Sequence, residues 1–241
     1  MSLRGLMAVL LRRKRIDLPT ELVTDVVQRA RAQPWFVYAF ETRGSRWHVW
    51  KVSFWLATRL KSQARILETG CGCALNLIWF GQHGFSQLYG FDNDPDAIQA
   101  GTQLCSAANI SATLWIDDGL RPFHLSEQTF DAILAVNWTY GVEAFDLIRF
   151  LITYRSHLTN RGFLALDVVD IAYNSMPDNQ YLTSDRNKPA TERGPSEYKK
   201  RYSQEQVFHA ASCAEMKVVH TISRRSQVAE IPRCVYILSR Q

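Results

Sequence analysis

Two glycines and an aspartate are the residues of this sequence with the clearest chemistry. Gly70 and Gly72 follow a short apolar segment, and Asp92 ends the next such segment about twenty residues later. Glycine has no Cβ, so the backbone at such a turn can approach a ligand closely. A carboxylate at the tip of the neighbouring parallel strand can accept hydrogen bonds from both hydroxyls of a ribose. The spacing therefore predicts a nucleoside-binding site.

The residues around the glycines indicate which nucleoside binds. A dinucleotide-binding turn requires glycine or alanine three positions after Gly72, where this chain has Leu75. The run Glu68-x-Gly70-x-Gly72-x-Ala74 instead resembles the first motif of the class I S-adenosylmethionine (SAM) dependent methyltransferases, with Ala74 in place of the last glycine. The resemblance implies SAM as the cofactor. Its implied contacts at this turn and after the next strand are Glu68, Gly70, Cys71, Gly72, Asn76, Asp92 and Asn93.

Three later segments resemble further motifs of this family, in the family's order. Residues 115–119 resemble the third-strand motif, whose carboxylate accepts a hydrogen bond from the adenine amino group; Asp118 is the first candidate and Asp117 the second. Residues 130–137 resemble the fourth strand, so Asn137 is implied to face the cofactor or the acceptor. Residues 158–167 resemble the turn and fifth strand. The resemblance covers roughly residues 64–171 and implies a Rossmann-like α/β fold, with a seven-stranded, mostly parallel sheet, an antiparallel last strand and helices on both faces.

The resemblance implies in-line transfer of the SAM methyl group to a nucleophile. Holding donor and acceptor in line can contribute roughly 7 to 11 kcal/mol to the rate. A hydroxyl or amine acceptor also has to lose a proton to a base. We expect that base among four residues near the predicted strand ends and the N-terminal wall of the site. In order of preference, they are Asp167, His48, Tyr140 and Asp170.

The acceptor can be approached only by elimination. Residues 137–140, Asn-Trp-Thr-Tyr, stand where many DNA and protein amide methyltransferases carry Asn or Asp, two prolines and an aromatic residue. No added RNA-binding domain or strongly basic tail is recognisable. We therefore expect a small-molecule or glycan-type acceptor, methylated at oxygen. An RNA or protein methyltransferase, a nucleotide-binding oxidoreductase and a methyltransferase-like binding protein without catalysis remain as alternatives.

The elements that would position these residues follow from periodicity. Helices are predicted over residues 20–33, 46–61 and 143–158, and Ser203 to Gln206 form a capping-box signature that opens another. We expect an N-terminal helical region over 1–62, forming part of the substrate wall, and a SAM-binding domain over 63–241. Residues 172–202 are a polar insertion, interpreted as a lid over the acceptor or as a disordered surface loop.

Composition limits the class of protein. A chain of 241 residues with 46% hydrophobic content can bury the core of one large α/β domain. The net charge of +5 includes basic clusters at 12–15 and 199–201, which we interpret as solvated surface. Five irregularly spaced cysteines favour a reduced, cytoplasmic protein, and Cys71 and Cys73 are not expected to bind metal. Residues 5–11 are too short for a transmembrane segment and could form an amphipathic helix with weak membrane-surface contact.

Overall fold

Three helices precede an alternation of strands and helices in the computed structural model, which describes residues 14–125, 128–223 and 231–241. The helices are α1 (Thr20–Arg29), α2 (Trp35–Glu41), α3 (Trp47–Ala57), α4 (Leu75–Gln82), α5 (Pro95–Ala107), α6 (Leu147–Ser156) and α7 (Gln204–Cys213). The strands are β1 (Arg65–Thr69), β2 (Gln87–Asp92), β3 (Thr113–Ile116), β4 (Phe130–Ala135), β5 (Leu158–Asp170), β6 (Arg201–Tyr202), β7 (Met216–Ser223) and β8 (Arg233–Arg240).

The strands form one sheet in the order β3-β2-β1-β4-β5-β8-β7. Strands β1 to β5 pair in parallel, and β8 lies antiparallel between β5 and β7. The predicted Rossmann-like sheet, mostly parallel with an antiparallel last strand, is confirmed. The addition is β6, which pairs in parallel with Val169 and Asp170 where β5 extends beyond its pairing with β4. Because β1, β2, β4 and β5 are parallel, their carboxyl ends lie along one edge of the sheet.

Two apolar layers cover the two faces of the sheet. Successive strand residues point to opposite faces, so Ile66 belongs to one layer and its neighbour Leu67 to the other. Helices α1 to α5 contribute buried residues to the first layer, whereas α6 and α7 contribute to the second. The N-terminal helices thus pack on the same core as the glycine turn, which brings residues before β1 close to the sheet edge.

Side-chain caps fix several helix starts. The Asp94 carboxylate accepts hydrogen bonds from the N–H groups of Asp96 and Ala97 and opens α5. The predicted capping box is present, because Ser203 and Gln206 each bond to the other's backbone N–H. The helices predicted over 20–33, 46–61 and 143–158 are present but shorter. Helix α1, for example, ends before Arg31, which adopts a left-handed φ of 60°.

The polar insertion at 172–202 has defined local structure. It contains short 3-10 helices at Ile171–Ser175, Thr183–Asp185 and Ala190–Glu192. The Arg201 guanidinium ties its two ends together by donating to the side chain and carbonyl of Asn179 and to the Tyr198 carbonyl. Residues 172–202 thus have short helical segments that are joined by the hydrogen bonds of Arg201.

Two sequence-based expectations concern the N-terminal segment and membrane contact. The amphipathic helix expected at residues 5–11 and the first two residues of the basic cluster at 12–15 lie outside the described residues. Within the described ranges, no helix combines the length and apolar character needed to cross a membrane.

Candidate functional site

A cavity of about 210 Å³ lies at the carboxyl ends of β1, β2 and β4. Its floor is the turn from β1 into α4, and the residues that follow β2 and β4 form its sides. The N-terminal helices close it from above with aromatic and basic side chains. Its lining includes the side chains of Phe36, Arg43, Arg46, Glu68, Asp92 and Asn137.

The glycine turn is shaped by left-handed backbone. Gly70 has φ of 62° and Gly72 φ of 50°. A Cβ on Gly70 would lie 2.5 Å from the Trp138 indole, and a Cβ on Gly72 would lie 2.3 Å from the Phe36 ring. From the sequence, we expect that a Cβ here would fill space needed by the ligand. In the structure the absent Cβ atoms make room for two aromatic side chains that line the cavity.

Ala74, which replaces the family's last glycine, also adopts the left-handed conformation, with φ of 58°. For a residue with a Cβ this conformation costs roughly 1–2 kcal/mol. The Ala74 methyl group is fully buried, and its burial returns about 0.8 kcal/mol. Burial of the methyl group thus offsets part of the conformational cost of alanine at this position.

The Asp92 carboxylate is held at the turn by backbone donors. Gly72 N–H donates to its Oδ2 at 2.8 Å, and Asp94 N–H donates to its Oδ1 at 3.0 Å. Burial raises the pKa of Asp92, and these N–H groups partly oppose that shift. Each oxygen keeps a second lone pair, so the carboxylate can accept two further hydrogen bonds from the cavity.

Below the turn, Asn76 links Glu68 to Arg43. Asn76 Nδ2 donates to Glu68 Oε1 at 2.5 Å, and Arg43 donates to Asn76 Oδ1 at 3.3 Å. Burial raises the pKa of Glu68 to about 8 and lowers that of Arg43 to about 9. Glu68 Oε2 is buried and accepts a hydrogen bond from none of the described residues. Asn76 thus bonds Glu68 through Nδ2 and Arg43 through Oδ1, and it also lines the cavity.

A second cavity of about 170 Å³ adjoins the first between the ends of β2 and β3. Asp117 and Asp118 both line it, but their carboxylates differ in what they already bind. Asp117 accepts from the backbone of Asp118, Phe123 and His124, and so organises the loop after β3. Within the described residues, the Asp118 carboxylate accepts one hydrogen bond, from Leu120 N–H to Oδ1. The geometry thus leaves Asp118 the freer acceptor. Asn93 and Trp138 line both cavities.

Beyond β4, Asn137 is the centre of a polar cluster. Its φ of 71° lies in the left-handed region that asparagine tolerates. The Asn137 Oδ1 accepts from His48 Nε2 at 2.9 Å and from Arg233 at 3.1 Å, which orients the amide Nδ2 away from both. Because Oδ1 is an acceptor, His48 carries its proton on Nε2 and its lone pair on Nδ1. Burial, together with Arg233 and Arg46, lowers the pKa of His48 well below its usual value, so the imidazole is neutral.

Asp167 lies fully buried behind Asn137 and forms an ion pair with Arg233. Its Oδ2 also accepts from Asn137 N–H at 3.1 Å. Burial alone would lower the pKa of Arg233, but Asp167 raises it on balance. Both carboxylate oxygens are therefore committed to partners within the cluster.

Tyr140 and Asp170, the other two candidate bases, are placed differently. Arg233 packs over the Tyr140 ring at 4.7 Å, and burial raises the pKa of this tyrosine. Tyr140 also contacts Tyr198 of the insertion, with ring centroids 5.0 Å apart. Asp170 accepts from Ala172 N–H and so caps the start of the insertion. Tyr140 is part of the cluster, whereas the Asp170 carboxylate is directed into the turn after β5.

Sequence reasoning missed Arg43, Arg46 and Arg233. Arg43 and Arg46 lie between or next to short N-terminal helices, and Arg233 begins the last strand, far along the chain from the motifs. The three-residue spacing of Arg43 and Arg46 is the only local signal they carry. Within the described ranges, no three His, Cys, Asp or Glu side chains are grouped so that they could hold a metal ion.

Comparisons with known proteins agree with this geometry. Residues 66–162, from β1 into β5, match the methyltransferase domain family. Similar solved structures include a protein from Pyrococcus horikoshii OT3, at 13% identity and a TM-score of 0.65, covering 87% of this chain and 100% of that one. Another is the magnesium protoporphyrin IX methyltransferase of Synechocystis PCC 6803 with bound S-adenosylhomocysteine (SAH), at 14% identity and a TM-score of 0.61, covering 90% and 94%.

A third similar structure is a SAM-dependent methyltransferase from Mesorhizobium loti, at 16% identity and a TM-score of 0.58, covering 80% of this chain and 98% of that one. No curated protein matches the sequence. At 13% to 16% identity, the likeness to these structures shows the fold. The match to the methyltransferase domain family supports methyl transfer as the activity. The domain match over residues 66–162, the order of the strands and the glycine turn support a SAM-dependent methyltransferase that uses SAM as its methyl donor.

Proposed function

We propose that this enzyme methylates an oxygen of a small-molecule or glycan-type acceptor. The observation that carries the proposal is His48, a neutral, buried imidazole held one hydrogen bond behind the cavity-lining Asn137. A hydroxyl loses its proton when it is methylated, and a positioned neutral imidazole can accept that proton. The cluster that holds His48 also lies where open α/β sheets bind their ligands, beyond the carboxyl ends of the strands.

We propose that the two adjoining cavities hold SAM. Asp92 would accept from the ribose hydroxyls, Asp118 from the adenine amino group and Glu68 from the amino group of the methionine tail. The residues present fit this ligand, because the buried Glu68 Oε2 and Trp138 Nε1 have no hydrogen-bond partner in the described part of the chain. The cavity is also lined by Gly70, Cys71, Gly72 and Asn93, for whose side chains we propose no polar role.

The ion pair between Asp167 and Arg233 suggests a different order of preference among the candidate bases from the one expected from the sequence. With both oxygens committed to Arg233 and Asn137, Asp167 is suited to position them rather than to accept a proton. His48 becomes the first candidate for the base, and Asn137 links it to the cavity. When bound, SAM supplies an electrophilic methyl group on a sulfonium. The chain's own contribution is to orient the acceptor and to take its proton.

The walls of the acceptor space would come from two segments outside the central motifs. The described part of residues 1–62 contributes Trp35, Phe36 and His48, and we propose this region as one wall. The insertion at 172–202 contributes Tyr198 against Tyr140, and we propose it as the other. A cleft bounded by aromatic side chains on both sides suits a small organic acceptor better than a duplex or a folded protein.

The first test is calorimetric binding of SAH to the wild-type protein, to Asp92→Ala and to Asp25→Ala. Asp25 is an exposed carboxylate paired with Arg29 on α1, so its loss controls for charge alone. Loss of a charged hydrogen-bond acceptor costs about 1.5–3 kcal/mol, so Asp92→Ala should weaken SAH binding roughly 10- to 100-fold. Asp25→Ala should bind as wild type. Binding of NAD instead of SAH would contradict the assignment of the cavity.

The chemical class of the acceptor is tested by identifying the methylated product. The enzyme would be incubated with radiolabelled SAM and cell extract separated into small-molecule, glycan, RNA, DNA and protein fractions. We expect label in the small-molecule or glycan fraction, as a base-stable ether or a base-labile ester. Label recovered in RNA, DNA or protein would contradict the proposal.

A further inference from the structure

The acceptor end of the cavity carries a positive charge that the described residues do not neutralise. Arg233 is paired with Asp167, and His48 is neutral. Arg46 is half-buried and lines the cavity, and its guanidinium lies over the Trp35 ring at 5.1 Å. None of its neighbours among the described residues offers it an ion pair or a side-chain hydrogen bond. One guanidinium is therefore left without a counter-charge in a polar cluster.

Arg46 belongs to the acceptor end rather than to the end where the methionine tail would lie. Its electrostatic neighbours are Arg233, Tyr140 and Asp167, which all lie at the ends of β4 and β5 or beside them. Arg43, one helical turn earlier, instead has Glu68 as its main charged neighbour, beneath the glycine turn. The two arginines thus face different parts of the cavity.

Keeping Arg46 charged in this position is costly. A half-buried cation without an ion-pair partner loses part of its hydration, and no described anion compensates that loss. Burial and the nearby Arg233 both lower the pKa of Arg46, which is the electrostatic sign of that cost. An anion placed against the guanidinium would remove the cost and would gain charge-assisted hydrogen bonds.

The free amide of Asn137 strengthens this argument. Its Oδ1 is held by His48 and Arg233, so its Nδ2 is a donor with a fixed direction on the cavity wall. No acidic side chain lines the cavity at this end; Glu68, Asp92 and Asp94 lie at the glycine turn and after β2. Arg46 and Asn137 together offer only donors, which fit an acceptor with oxygen atoms bearing negative charge.

We infer that the methyl acceptor is an organic anion, a carboxylate or a phosphate ester, whose charged group binds Arg46 and the Asn137 amide. The inference rests on the proposed function, because it names the chemical class of the acceptor in the same site. The anionic group can be the methylated oxygen itself or an anchor beside a hydroxyl. In both cases a neutral analogue should bind less well.

The test measures fragment binding to the protein saturated with SAH, by saturation-transfer NMR. The probes are 4-hydroxybenzoate and 4-hydroxybenzamide, which have the same ring and hydroxyl but differ in charge. We expect the carboxylate to bind about tenfold more tightly than the amide. Arg46→Gln should abolish this preference and Arg46→Lys should restore part of it. Arg59→Gln, which removes an exposed arginine stacked on Trp55, should keep it and controls for surface charge.

Three results would overturn the inference. The first is equal affinity for the two probes, and the second is no binding of either at millimolar concentration to a protein that binds SAH. In the third, 4-hydroxybenzoate binds the free protein but is displaced by SAH, so that Arg46 serves the carboxylate of the cofactor. A protein that fails to bind SAH at all would instead contradict the proposed cofactor site.

Discussion

Glu68 shows how burial changes the chemistry of a single residue. Its pKa of about 8 means that it holds a proton at neutral pH, with Asn76 on one oxygen and the other oxygen free among the described residues. An ammonium group placed against that oxygen would favour the ionised form. Cofactor binding through Glu68 should therefore release a proton.

The resulting prediction concerns the pH dependence of SAH binding. Below about pH 8 the free protein has to lose the Glu68 proton on binding, so the affinity should increase as pH rises from 6 to 8. Calorimetry in buffers of different ionisation enthalpy would measure the released proton. Glu68→Gln should bind SAH more weakly and without this pH dependence. A wild-type affinity that is constant over this range would show that Glu68 is not the contact.

The same residue affects stability with a definite sign. Between the ordinary carboxyl pKa of 4.5 and the folded value of about 8, the folded protein keeps a proton that the unfolded chain has released. Glu68 thus makes the free energy of unfolding decrease as pH rises through this window. The residue is retained at a cost to stability, which is typical of functional positions.

His48 is the residue on which the proposed proton transfer depends. His48→Gln keeps a side chain that can donate to Asn137 but removes the basic nitrogen. We expect kcat to fall by roughly 10²- to 10⁴-fold, the usual contribution of a general base, with SAH affinity unchanged. Steady-state kinetics on the acceptor found by fractionation would measure this. An unchanged kcat would mean that the acceptor enters the site already deprotonated.

At the scale of elements, the insertion at 172–202, which ends in strand β6, is the proposed cap of the acceptor space. Strand β6 continues along the end of β5, and Lys200 N–H donates to the Tyr140 carbonyl at 2.9 Å. Tyr198 lies between Tyr140 and Tyr173. The cap is thus attached both to the sheet and to the segment that follows β4, next to the polar cluster.

Removing the tie formed by Arg201 should loosen this cap without unfolding the domain. Arg201→Met loses at least three hydrogen bonds, each worth about 0.5–1.5 kcal/mol. Hydrogen exchange followed by mass spectrometry should show faster exchange in peptides from 173–201 and unchanged exchange in β1 and β4. Lys188→Met, which removes an exposed partner of Asp185, is the matched control. Equally fast exchange throughout the sheet would show that the cap is part of the global core.

For the whole molecule, the local signals in the sequence were sufficient to predict the fold. The glycine turn, the Asp94 cap and the Ser203 capping box each depend on neighbours within a few residues, and each is present. The mostly parallel sheet with an antiparallel last strand was expected from the resemblance to the family. Helix lengths were overestimated, because amphipathic periodicity continues past the positions where caps and left-handed residues end a helix.

The candidate site was only partly predictable, because some of its contacts join segments that are distant in sequence. Asp92, Glu68 and Asn137 follow strands and could be identified from motifs. Arg43, Arg46 and Arg233 contribute through contacts between segments that are distant in sequence, such as the 96 residues between Asn137 and Arg233. Solvation changes, such as the burial that raises the pKa of Glu68, likewise depend on packing that no short pattern encodes.

The cluster around Asn137 joins His48, near the start of the domain, to Arg233, in its last strand. During synthesis on the ribosome, His48 emerges early and Arg233 only after nearly all of the domain. Until β8 inserts beside β5, Asn137 and Asp167 lack their cationic partner. A chain in which β8 has not yet paired with β5 therefore lacks the cation of this cluster, and so methyl transfer would depend on the docking of that strand.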